Sequence, residues 1–422
     1  MKYADKKILI ISHNPLSRVN NNGKTLVSIF EGVPEKNIYQ IYLNSDTPDY
    51  SKESHYLQIN EKQIISSFLK MRNYCCSEIE ATPGIVSSAI IKGHNFANHT
   101  KRLLRECIWK CSIWQSGLKD WLNNKKFDVV FFMAGDGMFA YDVYSFVMKH
   151  IPAKGCMFFT DDYIIGKSSH SPAACLRRGM LKRKIRKTLP LVKELYVISD
   201  EMQKEYYKLL GMDSYVIRNF SVEKKEISYK KKDDAQSDCL TMVYAGGLHY
   251  NRWRVLSQIA SALKDINQTE KSRCCLKIYS SQNIADDIIE KINIEGASVF
   301  CGAASASQIA DIYSIADILL HVESFDKKSI SSTKYSFSTK IPEYLSADRC
   351  VLAVGPSEVA SVQYLSNFAC VISDNEDLFP VLKKIINDNN YRELIKSNCQ
   401  KQYENDFSKK KQTECLEHIM CQ

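Results

Sequence analysis

Two carboxylates follow an apolar run near the middle of the chain, where they could act on a substrate. Residues 158–163 read Phe-Phe-Thr-Asp-Asp-Tyr, so Asp161 and Asp162 come directly after a predicted buried strand. A carboxylate in that position can accept the proton of a substrate hydroxyl, and Asp161 is the candidate base. The alternative is that one or both carboxylates cap the following turn or pair with the basic segment nearby.

A second candidate group lies beyond a pair of glycines in the second half. Gly246 and Gly247 end the apolar run 240–245, and Arg252 follows at the start of a predicted helix. Glycines let a ligand approach the backbone closely. A guanidinium beside helix N-terminal amides can bind a pyrophosphate and stabilise the charge on a leaving diphosphate. Arg252 is therefore a candidate catalytic residue, the alternative being a surface pair with Arg254.

Hydroxyl, ammonium and carboxylate groups are concentrated in the segment Ser-Thr-Lys-Ile-Pro-Glu-Tyr-Leu at 338–345. A helix N-terminus that carries Ser338, Thr339 and Lys340 is suited to a diphosphate. Glu343, one turn further on, can accept hydrogen bonds from the paired hydroxyls of a ribose. This segment predicts a nucleotide-binding element.

An asparagine-rich loop follows the first apolar run. Residues 20–25 read Asn-Asn-Asn-Gly-Lys-Thr before an apolar helix, and the backbone amides around Asn22 and Gly23 could hold a phosphate or a sugar. The end of this loop is similar to that of a P-loop, but Arg18 stands where a P-loop needs glycine, which excludes that class of NTPase. The alternative is an ordinary Asn/Gly turn.

A dinucleotide fingerprint is the main competing signal. Gly135 and Gly137 follow the apolar run 128–134 and precede a predicted helix, in a Gly-x-Gly-x-x-Ala pattern. Asp161 and Asp162 follow at about the distance of a ribose-binding acid, roughly 20 residues. An NAD(P)-dependent oxidoreductase is therefore one alternative function.

These groups must be positioned by parallel sheets, because short apolar runs alternate with helical patterns. The predicted strands are residues 7–12, 38–43, 129–134, 156–160 and 195–199, then 240–244, 276–279, 298–301, 318–322, 351–354 and 370–372. Residues 45–126 are less regular and predict a helical insertion. The charge-dense segment 221–238 cannot bury a core and predicts a linker. The expected fold is α/β, with two facing Rossmann-like, doubly wound domains at 1–220 and 239–405.

At this point the sequence resembles a known family. Residues 338–345, followed by a short turn and an apolar strand, are similar to the nucleotide-sugar-binding element of GT-B glycosyltransferases, particularly the retaining, family 4-like group of bacterial polysaccharide assembly. The resemblance implies that Glu343 holds the donor ribose and that Ser338, Thr339 and Lys340 meet the phosphates. It also implies that residues 406–422 form a final helix that packs back on the N-terminal domain.

One departure from the family pattern concerns the donor sugar. Family 4 enzymes commonly carry another glutamate eight positions before the one that Glu343 matches, and this chain has Tyr335 there. Glu323, at the end of the preceding strand, is the candidate replacement. The resemblance then implies a nucleoside-diphosphate sugar as co-substrate, with neither a metal site nor a tightly bound cofactor.

The composition limits which binding partners and which cellular compartment are expected. The chain has 422 residues, 15 cysteines and a formal net charge of +9. Residues 1–7 are polar and the apolar run 8–11 is too short for a signal peptide, while an odd number of cysteines is typical of reduced thiols, so a cytoplasmic protein is expected. Much of the positive charge lies in Arg177–Lys187, where an anionic membrane surface and a solvated helix face are both open interpretations. No nucleic-acid-binding motif is present.

The sequence therefore predicts transfer of a sugar from a nucleoside diphosphate to a hydroxyl of a glycan or lipid-linked glycan. Arg252 and Lys340 would stabilise the departing diphosphate, and the first domain would bind the acceptor through Asn22, Gly23 and Asp161. The oxidoreductase and a non-catalytic module that binds a glycan or a membrane surface remain as alternatives, as does a hydrolytic nucleotide-sugar epimerase.

Overall fold

The computed structural model describes residues 3–18, 21–70, 74, 76, 78–82, 99–166, 171–220, 239–374 and 376–421. The predicted linker at 221–238 lies outside these residues. The chain divides into two compact units, of which unit 1 comprises Met1–Arg218 with Gln412–Gln422, and unit 2 comprises Asn219–Lys411.

Unit 1 contains a seven-stranded parallel sheet in the order β3-β2-β1-β4-β5-β6-β7. Its strands are β1 (Ile8–Ser12), β2 (Ile38–Tyr42), β3 (His55–Gln58), β4 (Val129–Ala134), β5 (Lys154–Phe159), β6 (Glu194–Val197) and β7 (Ser214–Val216). Its helices are α1 (Asn21–Phe30), α2 (Glu61–Leu69), α3 (His99–Trp109), α4 (Trp114–Leu122), α5 (Met138–His150), α6 (Pro172–Thr188) and α7 (Asp200–Leu210), together with the C-terminal helix described below.

The centre of this sheet is fully buried. Every residue of β1 and β4 is buried, as expected for continuous apolar strands that helices cover on both faces. The strand order reverses between β1 and β4, which makes this edge the topological switch point of unit 1. The loops that follow these two strands therefore lie next to each other.

The predicted helical insertion at 45–126 is partly wrong. It does contain α2, α3 and α4, but it also contains β3, which pairs with β2 at the edge of the sheet. The four residues of β3 begin with His55 and end with Gln58, so they lack the apolar run that marks a buried strand. The ring of His55 stacks on that of Tyr39 with 4.2 Å between centroids, which helps to hold the edge in register.

Unit 2 contains a six-stranded parallel sheet in the order β10-β9-β8-β11-β12-β13. The strands are β8 (Cys239–Ala245), β9 (Arg273–Tyr279), β10 (Ser298–Gly302), β11 (Ile318–Val322), β12 (Cys350–Val354) and β13 (Cys370–Ile372). The helices are α8 (Arg252–Thr269), α9 (Asp286–Ile292), α10 (Ala306–Ser314), α11 (Lys327–Thr333), α12 (Lys340–Ser346), α13 (Ala360–Leu365), α14 (Leu378–Asn387) and α15 (Asn389–Asp406). The expectation of two doubly wound α/β domains is confirmed.

The last helix, α16 (Lys409–Cys421), lies mostly in unit 1. The ammonium group of Lys6 donates to the carbonyl of Met420 at 2.8 Å, and that of Lys154 donates to the carbonyls of His418 and Ile419 at 3.1 and 3.0 Å. Cations at the C-terminal carbonyls of a helix are favourable because that end carries partial negative charge. Two lysines of unit 1 therefore fix the end of the chain.

Candidate functional site

The candidate site of unit 2 lies where its strand order reverses. Strands β8 and β11 are neighbours in the sheet and run in the same direction, so the loops after them share one edge. Gly246 and Gly247 follow β8, and Glu323 follows β11. In open α/β sheets, ligands bind at this carboxyl edge beside the switch point.

An ion pair joins the two loops. The Arg252 guanidinium donates from Nη2 to both carboxylate oxygens of Glu323, at 3.0 and 2.9 Å, and from Nε to one of them at 3.2 Å. Glu323 is only 3% exposed. Burial raises the pKa of this carboxyl, and the charge of Arg252 opposes that rise. The structure thus brings together a predicted catalytic residue and a predicted donor-binding residue.

Side chains from β8 and from the segment after β9 hold the glycine loop. The Tyr244 hydroxyl donates to the Gly247 carbonyl at 2.7 Å, and the backbone nitrogen of Leu248 donates to Gln282 at 2.8 Å. A Cβ atom on Gly247 would lie 2.4 Å from Nδ1 of His249, so a side chain there would displace the imidazole. A larger residue at position 247 would therefore disturb the contact between His249 and Gln282.

His249 connects this loop to the ion pair. Its Nδ1 lies 2.8 Å from the Gln282 amide nitrogen, and its Nε2 lies 3.2 Å from Nη1 of Arg252. Burial, and then the charge of Arg252, lower the pKa of His249 to about 4. The imidazole is therefore neutral at physiological pH.

Tyr250 and Asn251 carry the chain into α8 through the left-handed region, with φ of 59° and 60°. Two consecutive non-glycine residues at positive φ are uncommon and cost backbone strain. Asn251 precedes α8 and makes no side-chain cap. This strained turn places Arg252 in the first turn of the helix.

His321 was not predicted as a site residue. It lies near the end of β11, is 5% exposed, and its Nε2 has no hydrogen-bond partner among the described residues. That nitrogen lies 3.5 Å from Oε1 of Glu323. Burial, and then Arg252, lower the pKa of His321 to about 3, so the ring is neutral. A histidine inside an apolar run gives no functional signal in a sequence, because it also occurs as an ordinary core residue.

The predicted nucleotide element forms α12 and the turn before it. Thr339 precedes the helix without a side-chain cap, and the Ser338 hydroxyl accepts from the backbone nitrogen of Lys340 at 3.3 Å. The Lys340 ammonium pairs with the Glu343 carboxylate at 3.1 Å. The side chain of Lys340 is 33% exposed and that of Glu343 is 19% exposed. Lysine and glutamate thus form a half-buried pair at the start of the helix.

Tyr344 fixes α12 to the switch point. Its hydroxyl accepts from the backbone nitrogen of Ala245 at 3.4 Å and donates to the carbonyl of Leu320 at 3.3 Å. Ala245 ends β8 directly before the glycine loop, and Leu320 lies in β11. The neighbouring Glu343 is therefore held on the same edge of the sheet as Gly246.

In unit 1, the two aspartates have different surroundings. Asp162 accepts from the backbone nitrogens of Ile164 and Ile165 at 3.0 and 2.9 Å and from that of Gly166, so it caps the turn after β5. Asp161 is exposed. The capping alternative is therefore correct for Asp162, while the proposed role of Asp161 as a base stays a prediction.

The asparagine-rich segment differs from the expected loop. Asn22 and Gly23 belong to the first turn of α1, which begins at Asn21. A Cβ atom on Gly23 would lie 2.6 Å from both the Pro15 carbonyl oxygen and the Ser17 nitrogen. Close packing of the helix against the loop after β1 therefore explains this glycine, and Gly23 is buried rather than open to a ligand.

The dinucleotide-like loop is occupied by the chain itself. The Glu106 carboxylate accepts from the backbone nitrogens of Met138 and Phe139, at 2.8 and 3.0 Å, at the N-terminus of α5. Asp136 pairs with Arg102 at 2.6 Å and with Arg177 at 3.2 Å. The amides that would bind a pyrophosphate in a dinucleotide-binding protein therefore already have an anion.

The basic segment forms most of α6. Arg177 is directed into unit 1, where its guanidinium also donates to the Asp136 carbonyl, so this residue is not available to a membrane. Lys184 pairs with Asp142. Arg183 and Lys187 are exposed, and Leu176 is 61% exposed. Within the described part of the chain, no helix is long and apolar enough to cross a membrane.

Comparison with solved structures supports the fold over the whole chain. Sucrose-phosphate synthase from Thermosynechococcus elongatus superposes with a TM-score of 0.62 at 11% identity, covering 98% of each chain. Anabaena HepE in complex with UDP and glucose superposes with a TM-score of 0.60 at 11% identity, and the match covers 98% of each chain. The E. coli trehalose-6-phosphate structure bound with UDP-2-fluoro glucose superposes with a TM-score of 0.63 at 9% identity, and the match covers 99% of each chain. Neither a protein-family model nor a curated protein matches the sequence.

These neighbours share the GT-B architecture of two parallel-sheet α/β domains, and this chain has that fold class. At such low identity, the likeness establishes the fold and not the activity.

Proposed function

We propose that the protein is a glycosyltransferase that moves a sugar from a nucleoside-diphosphate donor to a hydroxyl of a glycan or lipid-linked glycan. The observation that carries this proposal is the largely buried guanidinium of Arg252, 15% exposed, which the buried Glu323 holds at the switch point of unit 2 beside the glycine loop. The fold neighbours support the donor class, because HepE was solved with UDP and glucose and the E. coli structure with UDP-2-fluoro glucose.

Each side chain of the site has a proposed role. Arg252 and Lys340 stabilise the negative charge that develops on the departing diphosphate. Gly246 and Gly247, with Ser338 and Thr339, let the phosphates approach backbone amides. Glu343 accepts the ribose hydroxyls.

In this proposal, unit 1 binds the acceptor. Asp161 is exposed at the carboxyl end of β5 and removes the proton of the acceptor hydroxyl if the reaction has a general base. Asn22 is half-exposed at the start of α1 and contributes a polar contact. Retention of the anomeric configuration and a role in surface polysaccharide assembly follow from the resemblance of residues 338–345 to family 4-like enzymes.

We infer a cytoplasmic enzyme that meets its acceptor at the inner face of the membrane. The support is α6, where exposed Arg183 and Lys187 accompany the largely exposed Leu176. A basic helix face with an apolar side chain suits anionic lipid headgroups.

The first experiment is a thermal-shift screen of UDP, GDP, CDP, ADP and NAD(H) with the native protein and Glu343→Ala. A ligand that binds only the folded protein raises its melting temperature. One nucleoside diphosphate should stabilise the native protein and have less effect on the variant. Stabilisation by NAD(H) alone would overturn the proposal in favour of the oxidoreductase.

A second assay separates transfer from hydrolysis. The donor sugar that corresponds to the stabilising nucleotide is incubated with and without glycan acceptors, and release of the nucleoside diphosphate is followed. Release that depends on an acceptor supports the transferase. Release at the same rate without any acceptor indicates a hydrolytic epimerase instead.

A further inference from the structure

Glu323 occupies the Nε and Nη2 donor groups of Arg252. Nη1 of Arg252 lies 3.2 Å from Nε2 of His249. A guanidinium binds a phosphate best through two parallel N–H groups. If Arg252 binds the donor diphosphate through such a pair, as the proposed function requires, it must give up contact with Glu323, because each pair of parallel N–H groups includes Nη2.

If Arg252 exchanges Glu323 for the diphosphate completely, Glu323 is left buried without its partner. The side chain is 4% exposed, and Gly355, directly after β12, packs against it, since a Cβ atom on this glycine would lie 2.8 Å from that of Glu323. A buried carboxylate that loses its counter-charge is strongly disfavoured. The carboxyl can avoid this state by taking up a proton.

The groups around Glu323 offer no second cation among the described residues. Tyr244 lies near it in β8, His249 and Tyr250 contact Arg252, and His321 faces it from β11. Burial raises the pKa of Tyr244 well above neutrality, and both histidines have lowered pKa values. At neutral pH, Arg252 is therefore the counter-charge of Glu323.

His321 is placed to share a proton with Glu323. Its Nε2 is buried without a hydrogen-bond partner in the part of the chain that the structure describes, and lies 3.5 Å from a carboxylate oxygen, which is longer than an N–H···O bond. One proton between the imidazole nitrogen and the carboxylate would convert this open contact into a hydrogen bond. Burial, and then the charge of Arg252, lower the pKa of His321, so movement of Arg252 away from the pair removes one of the two effects that oppose protonation.

We propose that the binding of a nucleoside-diphosphate sugar is coupled to the uptake of a proton by the His321–Glu323 pair. The ion pair between Arg252 and Glu323 breaks, an ion pair between Arg252 and the diphosphate forms, and the proton comes from the solvent. Glu323 is then a positioning residue, which holds Arg252 in the empty site, and the His321–Glu323 pair loses its negative charge when Arg252 moves. This inference rests on the proposed function.

Calorimetric titration in two buffers measures the uptake. UDP-, ADP-, GDP- and CDP-glucose are titrated at pH 7.5 in HEPES and in Tris, whose ionisation enthalpies differ; their diphosphates are fully ionised at this pH and exchange no proton themselves. The difference in binding enthalpy between the buffers gives the number of protons bound. We expect an uptake of about 0.5–1 proton per site, and an affinity that falls by up to about tenfold per pH unit above pH 7.5.

Two variants identify the group that binds the proton. Glu323→Gln preserves the shape of the side chain but cannot be protonated, so it should bind the nucleotide sugar with no proton uptake and with little dependence on pH. His249→Gln is the matched control, because His249 also touches Arg252; this variant should retain the uptake. Loss of uptake in His249→Gln and retention in Glu323→Gln would overturn the assignment.

The remaining outcomes separate this inference from the proposed function. If a nucleotide sugar binds the native protein with equal enthalpy in both buffers and with an affinity independent of pH, the coupling is wrong and the donor class stands. If none of the four nucleotide sugars binds, the proposed function fails and the coupling fails with it.

Discussion

The carboxylate of Glu106 lies 2.8 Å from the backbone nitrogen of Met138, so a side chain of α3 closes the N-terminus of α5. Glu106 is 8% exposed, and burial raises its pKa, an effect that the amides of Met138 and Phe139 oppose. The negative group that a dinucleotide would bring to this helix is therefore supplied by the chain. This contact explains how a Gly-x-Gly-x-x-Ala pattern can occur without a cofactor site.

The first prediction concerns this contact. Glu106→Ala leaves two buried amides without their acceptor and should lower the free energy of unfolding of unit 1 by about 1–3 kcal/mol. Urea denaturation of the two proteins measures the difference. Glu106→Gln is the control, since its amide oxygen can still accept a hydrogen bond. Its free energy of unfolding should fall less than that of Glu106→Ala. Equal stability of Glu106→Ala and the native protein would show that the contact does not matter.

The second prediction compares two helical glycines. Gly23→Ala would bring a methyl group to within 2.6 Å of backbone atoms of Pro15 and Ser17, which cannot move as freely as a side chain. We expect a loss of about 1–3 kcal/mol in the free energy of unfolding. Gly179 lies within α6 with open space around it. Gly179→Ala should therefore raise the free energy of unfolding by about 0.5–1 kcal/mol. The two variants should shift the midpoint of urea denaturation in opposite directions, and a shift in the same direction would contradict the packing argument.

The third prediction is a pH dependence of stability in Arg252→Met. Removing the guanidinium leaves Glu323 buried and unpaired, so the pKa of this carboxyl rises further above its value of 4.5 in an unfolded chain. The folded protein then binds a proton that the unfolded chain releases, and stability is lost as the pH rises through the raised pKa. Relative to native, the variant should be little destabilised near pH 4.5 and less stable by about 3–5 kcal/mol at pH 8.

The double variant Arg252→Met/Glu323→Gln provides the control. It carries no buried charge at this position, so its stability relative to the native protein should depend much less on pH. Denaturation curves at pH 5, 6, 7 and 8 give both comparisons. A single variant whose deficit stays constant from pH 5 to pH 8 would contradict the claim that Glu323 depends on Arg252 for its counter-charge.

Much of the fold follows from the sequence because buried parallel strands are continuous apolar runs. The strands at 129–134 and 318–322 have the predicted bounds, and both are fully buried. The strands β3 and β7 were missed because His55–Gln58 and Ser214–Val216 are short edge strands with polar residues. Pairing with a neighbouring strand, and not their composition, makes them part of the sheet.

The site was less predictable than the fold, because contacts between distant residues do not appear in a linear pattern. The sequence indicated Arg252 and Glu323 separately, but nothing in it predicts that they form one ion pair across 71 positions. It also gave no sign of His321. The glycine at position 23 was interpreted as part of a ligand loop, whereas packing against Pro15 accounts for it.

The last prediction tests the surface of α6. Arg183 and Lys187 lie one turn apart and are exposed, so both can meet lipid headgroups. Each basic residue near an anionic surface contributes about 1 kcal/mol. Arg183→Glu/Lys187→Glu should therefore lower the partition coefficient on phosphatidylserine-containing vesicles by more than about tenfold at 0.1 M salt. Co-sedimentation with phosphatidylserine and pure phosphatidylcholine vesicles measures the change.

A charge reversal elsewhere makes the test specific. Lys401 lies in α15 and Lys409 begins α16, and both are exposed. Lys401→Glu together with Lys409→Glu changes the net charge by the same amount as the α6 variant, so it controls for the loss of overall attraction. If both double variants bind phosphatidylserine vesicles equally, α6 is an ordinary solvated face and the inferred position at the membrane is wrong. If only the α6 variant is released, this helix is the contact.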